Sequence, residues 1–207
     1  MKKIKAFVDM EKEEAYLNTM AQKGWALVKY SAFSVYTFRK IQPTSSNYRV
    51  DYRAFRYKED LEEYKAMFED SGWVHVCGSR RSGSQYFLPK TDATQDEDIF
   101  SDLASKAARY KRWYRSALGG VLISIPLFAV AIANGKLFGY SYFDPSTWFL
   151  TPGLWEKSGS DFWSAFFLEL PFVILRILPL LMMFVGVLYA ILSVKAYRIY
   201  KKSLNKN

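Results

Sequence analysis

The 207 residues carry 29 Lys and Arg against 20 Asp and Glu, a formal net charge of +9, and half of the chain is hydrophobic. One cysteine, Cys77, excludes an internal disulfide framework, and the single histidine, His75, argues against a Cys/His zinc site or a histidine-based triad. The averages hide two unlike parts, a polar N-terminal half and a greasy C-terminal half.

Residues 1–100 are close to neutral, with 16 basic and 15 acidic side chains. Alternation of Ile4, Ala6 and Val8 with Lys5, Phe7 and Asp9 predicts a half-buried strand over 4–9. Tyr16, Leu17, Met20 and Ala21 recur at helical spacing within 11–23, and Gly24 stands where a helix end takes positive φ. Trp25 opens a second strand, 34–40 forms a third, and 42–47 is a linker. The order then returns 48 positions on: a strand over 48–56, a helix over 59–71, Gly72, a strand over 73–78, a turn, and a strand over 85–89. Lys5-Ala-Phe7 matches Arg53-Ala-Phe55, Glu14-Ala-Tyr16 matches Glu62-Glu-Tyr64, and Gly24-Trp25 matches Gly72-Trp73. A slightly longer spacing relates Tyr36 and Phe38 to Tyr86 and Leu88. The expected fold class is α+β, a duplicated βαββ antiparallel-sheet cytoplasmic domain over 1–90 with both helices on one face of the sheet, followed by a two-helix transmembrane hairpin.

An acidic linker and a basic juxtamembrane helix occupy 91–115. Residues 116–135 are uncharged, and 20 helical positions at about 1.5 Å each match a hydrocarbon core of roughly 30 Å. Residues 136–161 form a loop, 162–194 an interfacial segment and a second span, and 195–207 a basic tail. Lys106, Arg109, Lys111, Arg112 and Arg115 precede the first span, while Lys195, Arg198, Lys201, Lys202 and Lys206 follow the second. This asymmetry places both termini in the cytoplasm of a two-span cell-membrane protein. Trp113, Tyr114, Tyr189 and Tyr197 suit the interfacial aromatic belt. Arg176 is expected to snorkel to the outer interface with 161–170 lying along the surface, the alternative being an ion pair with Glu169 seven positions away. Gly119, Gly120 and Gly186 would permit close helix approach.

Phe7-Val-Asp9, the run from Leu17 to Gly24-Trp25, Tyr36-Thr-Phe38, Tyr48-Arg-Val-Asp-Tyr-Arg53 and Phe68-Glu-Asp-Ser-Gly-Trp73 carry a likeness. On these pieces the chain resembles the bacterial domain-of-unknown-function family 2812, over roughly 4–90, with the membrane tail typical of many members. The resemblance implies no established activity. Its members are often encoded beside PadR-type transcriptional repressors, which implies regulated expression and a regulatory partnership.

Arg49, Asp51, Arg53 and Phe55 fall on one strand face, with Lys5, Phe7 and Asp9 on the equivalent face of the first copy. If Ala6, Val50, Tyr52 and Ala54 face the helices, the charged face is the open side of the sheet. It then reads as a recognition surface for a small molecule or a regulatory protein, with Phe7 and Phe55 as platforms. The alternative is a solvated face whose cross-strand charge pairs contribute about 0.2–1 kcal/mol each. Trp25 and Trp73 read either as a stacking pair or as packing of each helix onto the sheet. His75 and Cys77 share a face with Trp73.

No nucleophile–base pair, metal set or glycine-rich phosphate loop is present, so no catalytic residue, metal or cofactor is assigned. The near-neutral head argues against nucleic acid. Lys106, Arg109, Lys111, Arg112, Arg115, Lys195 and Arg198 are assigned to the membrane surface, with anionic lipid as partner. The expected function is a non-catalytic membrane-anchored sensor or adaptor, linked through the resemblance to PadR-type control. The rival reading is an accessory subunit of a membrane transporter or assembly. A homo-oligomer is compatible with either.

Overall fold

The computed structural model describes residues 1–31, 34–81, 83–90 and 98–205, apart from the side chains of 137, 138 and 146. Most of the expected acidic linker, 91–97, lies outside the described residues. The chain divides into two compact units, Met1–Arg115 with Leu192–Asn207, and Ser116–Ile191.

In the first unit, β1 (Lys2–Ile4) leads to α1 (Met10–Gln22), β2 (Trp25–Ser31) and β3 (Val35–Lys40), and these strands form an antiparallel sheet in the order β1-β3-β2. The second half gives β4 (Arg49–Tyr52), α2 (Lys58–Asp70), β5 (Trp73–Gly78) and β6 (Ser84–Pro89), in the order β4-β6-β5. The halves share element order and strand order. Each also breaks register once, between Leu27 and Lys29 in β2 and between His75 and Cys77 in β5, positions 48 apart. Gly24 and Gly72 follow the helices at φ +80° and +84°, a conformation that costs glycine little.

Several expectations change. The sheet is not single. β4 is an edge strand whose outward groups are taken by side chains instead of a neighbouring strand: Tyr48 N donates to Asn18 Oδ1, Val50 N to Glu14 Oε1, and Val50 O accepts from Arg109. Such an edge is satisfied without a further strand beside it. β1 is shorter than expected and exposed, with Ile4 79% accessible. Asp9 leaves the strand pattern because its carboxylate caps α1, accepting from Glu11 N at 3.1 Å. The third strands align one residue differently from the sequence match. Leu27 faces Phe38 and His75 faces Phe87, so Phe87 takes the place of Phe38, and Gln85 that of Tyr36. One residue of shift reverses every side chain. Tyr86 therefore points into the core of the first half, and Phe87 meets α2.

Two apolar cores result. The larger joins Leu17, Met20, Leu27, Tyr36 and Phe38 of the first half to Tyr48, Val50 and Tyr86 of the second, with Tyr110 from the next helix. The smaller packs Leu61, Tyr64 and Phe68 of α2 on Trp73 and Phe87. The second sheet is thus covered on both faces. The expectation that one face of β4 is open fails for this reason.

α3 (Leu103–Phe138) starts behind Asp102, whose carboxylate accepts from Ser105 N at 2.7 Å, and α4 (Gly159–Leu204) runs 46 residues. Both are long and apolar enough to cross a membrane. At about 1.5 Å per residue α4 is roughly 69 Å long, more than twice a hydrocarbon core. The expected break between an interfacial piece and a second span is absent, since the helix continues from Gly159 through Pro171 and Pro179. The basic tail is helical as far as Leu204, and Ile199 and Tyr200 pack against the first unit's larger core.

Within the second unit, Gly186 receives Ser124 and Gly120 receives the Tyr189 ring, while Gly119 has open space around it. Arg176 does not simply snorkel. Its Nη1 donates to Glu169 Oε1 at 3.0 Å and to Trp148 O at 2.8 Å, and Glu169 also accepts from Leu150 N and from Thr151 N at 3.0 Å. The backbone groups of 148–151 supply the extra bonds that make this pair preferable to separation.

Candidate functional site

Arg53 and Phe55 follow β4, and α2 presents Asp60, Glu63, Tyr64 and Met67 opposite them. Together they enclose a cleft of about 510 Å³. The Arg53 guanidinium carbon lies 5.6 Å from the Phe55 ring centroid and 5.4 Å from that of Tyr64, and the two rings are 4.9 Å apart. The first half repeats this chemistry with lysine: Lys5 Nζ stands 4.9 Å from the Phe7 centroid and 4.3 Å from that of Tyr16. A cation above an aromatic face is held there by the ring quadrupole.

The wall of the cleft continues into the basic start of α3. Tyr64 donates its hydroxyl to Asp51 Oδ2 at 2.7 Å, and the other oxygen, Asp51 Oδ1, accepts from Arg112 Nη2. Arg112 Nε also donates to Tyr52 O at 2.6 Å. Arg112 thereby bonds α3 to the edge strand of the second sheet, and the same helix continues into the uncharged run 116–135.

Behind this lies a buried acidic pair that sequence reasoning missed. Glu14 binds the fully buried Arg109, whose Nη1 also donates to Val50 O at 2.6 Å. Glu13 accepts from Tyr36 and Tyr86. Burial is the leading cause that raises both carboxyl pKa values above the ordinary 4.5, against the pull of the tyrosine hydroxyls on Glu13 and of Arg109 on Glu14. Their signal was available: Glu13 and Glu14 sit four and three positions before Leu17, on the apolar side of α1.

The assigned residues scatter accordingly. Asp51 is buried at 2% exposure, not displayed on an open face, because α2 covers that side. Arg49 is half-buried beside Asp98, with Nε 3.7 Å from its Oδ1. Arg53 is exposed and Phe55 half-buried, and both stay at the cleft. Phe7 packs on Tyr16 in the other half, so the two phenylalanines are separate platforms. Trp25 and Trp73 belong to different cores and do not form a pair.

The basic collar divides as well. Arg109 is inside the domain and not at a lipid surface, since Glu14 and Val50 O claim it, and Arg112 is held by Asp51 and Tyr52 O. Lys106 donates to Asp98 at 2.7 Å, Lys111 is half-buried, and Arg115, Lys195 and Arg198 are exposed. Trp113 and Tyr114 pack within the first unit, Trp113 on Tyr52 and Tyr114 on Tyr197.

The bulge in β5 separates His75 from Cys77, which were expected on one face. His75 Nε2 lies 2.9 Å from Gln85 Oε1 and its ring meets Phe87, whereas Cys77 packs on the larger core. Burial lowers the His75 pKa and pushes the Cys77 thiol up to about 12. Among the described residues, no group of three His, Cys, Asp or Glu side chains is placed to hold a metal ion.

Residues 9–122 match the model of a family described as a protein of unknown function, DUF2812. The chain belongs to the DUF2812 family. The matched span starts at the Asp9 cap, after β1, and runs through the other strands of both sheets and Arg109–Arg112 to the beginning of the apolar run, so the DUF2812 region includes the cleft and its link to α3. No curated protein and no solved structure matches this DUF2812 chain.

Proposed function

We propose that the protein is a non-catalytic, membrane-anchored binding module that reports occupancy of the Arg53–Phe55–Tyr64 cleft to its first membrane helix. The observation that carries this reading is Asp51, which holds the cleft wall through Tyr64 with one oxygen and α3 through Arg112 with the other. A ligand that shifts Tyr64 changes the only acceptor that hydroxyl has among the described residues, and so alters how firmly 103–115 is held. An output of this kind suits a sensor or adaptor whose downstream partner is a regulatory protein, of which a PadR-type regulator is the class implied by the family resemblance. With the positive collars on the cytoplasmic side, the soluble domain and both termini lie in the cytoplasm and the loop 139–158 lies outside.

The test uses full-length protein in lipid vesicles. Tyr64→Phe keeps the ring and removes only the bond to Asp51. Hydrogen exchange over 103–115 should then rise, while the first sheet stays protected. Unchanged exchange over 103–115 sinks the coupling. Reporter fusions at Thr151 and at the C-terminus check orientation, and a cytoplasmic Thr151 reverses it.

A further inference from the structure

The geometry points to a free α-amino acid with an apolar side chain as the ligand class of the cleft; this rests on the reading of the cleft as the ligand site and adds the chemistry of what fills it. The Arg53 guanidinium carbon lies 5.6 and 5.4 Å from two ring centroids, and a ring face takes up no conventional hydrogen bond, so the N–H fork stays available. Such a fork matches a carboxylate in two parallel hydrogen bonds. Among the described residues no carboxylate or carbonyl bonds the Arg53 side chain, although Asp60 and Glu63 line the same cleft.

Those two carboxylates supply the complementary half. Asp60 Oδ2 accepts weakly from Tyr57 N at 3.4 Å, and Glu63 has no partner among the described residues. With Arg56 the cleft is lined by two cations and two carboxylates, and a ligand whose ammonium meets the acidic bank and whose carboxylate meets Arg53 keeps that balance. A simple anion would leave the acidic bank facing it, a simple amine would leave Arg53 unanswered, and a purely apolar compound would strip water from all of them without return. Phe55 and Met67, the latter 51% exposed, provide the apolar wall for a side chain. A volume of about 510 Å³ is ordinary for a small-molecule site.

Full-length protein in lipid nanodiscs is titrated with L-phenylalanine, L-leucine and L-methionine, following thermal unfolding and heat of binding. At least one should bind saturably and raise the melting temperature. L-phenylalaninamide, lacking the carboxylate, and N-acetyl-L-phenylalanine, lacking the ammonium, should each bind at least about tenfold more weakly than L-phenylalanine, a difference of about 1.4 kcal/mol. R53Q and E63Q should weaken binding similarly, whereas K5Q, at the matching platform of the first half, should not. Equal binding of the N-acetyl compound assigns a peptide C-terminus instead and overturns the amino-acid class. Failure of all three amino acids to bind overturns it outright. Tyr64→Phe separates the two readings: looser 103–115 with no amino-acid binding removes only the ligand class, and binding without any effect of Tyr64→Phe removes only the coupling.

Discussion

Tyr36 and Tyr86, one from each sheet, donate their hydroxyls to the same atom, Glu13 Oε1, at 2.5 and 2.6 Å. The two halves are therefore joined by a buried polar tie as well as by apolar contact, and the carboxyl at its centre is 6% exposed. Burial raises its pKa, so the folded protein holds a proton there more readily than the unfolded chain does.

That preference has a definite sign. Below the unfolded value near 4.5 both states are protonated, and the contribution of Glu13 is fully present. As pH rises, the unfolded chain ionises first and stability is lost until the folded carboxyl ionises too. Glu13→Gln retains an acceptor for the tyrosines and removes the titration. Its melting temperature in detergent, relative to the unsubstituted protein, should therefore improve from pH 5 to pH 8. Parallel pH profiles would exclude Glu13 as the cause.

Arg109→Ala leaves Glu14 buried without its cation. Breaking a buried pair in this way costs about 3–5 kcal/mol. Replacing both partners, Arg109→Met with Glu14→Leu, should recover most of that loss, with a remainder because Val50 N loses its acceptor. Denaturant unfolding monitored by tryptophan fluorescence compares the three proteins. A double variant as unstable as the single one would refute the pairing argument.

In the second unit, a Cβ at Gly186 would come within 2.2 Å of Ser124 Oγ and 2.9 Å of its Cβ, whereas one at Gly119 meets nothing within 4 Å. Gly186→Ala should destabilise the helix pair by about 1–3 kcal/mol through overpacking. Gly119→Ala should be neutral or slightly stabilising, since alanine is the better helix former. Melting in detergent distinguishes them, and equal effects would contradict the close approach at Ser124.

Cys77, with its thiol pushed up to about 12, is almost wholly protonated at neutral pH. Maleimide labelling at pH 7.5 should be slow in the native protein and complete after denaturation. Rapid native labelling would mean that β5 opens.

Local rules made much of the architecture legible. Glycines at 24 and 72 need no Cβ, Asp9 and the apolar spacing of α1 define a helix, and long uncharged runs at 116–135 and 177–194 belong to helices fit for a bilayer. The strand–helix–strand–strand order was readable twice because alternation and helical spacing are short-range patterns. The candidate cleft was half legible: Arg53 and Phe55 were singled out by their period, but Tyr64, Asp60 and Glu63 looked like ordinary helix positions.

What the sequence by itself determined was the order of elements, the membrane-compatible helices and the strand-side members of each half's cation-on-ring platform, Lys5 with Phe7 and Arg53 with Phe55. The tertiary structure alone decided which side of β4 is covered, that Asp51 and Arg109 are internal, and that Glu13 links both sheets. The reason is physical. A charge reads as exposed by its own hydration cost, and only a partner brought from 61 or 95 positions away, as Arg112 is to Asp51 and Arg109 to Glu14, makes its burial tolerable.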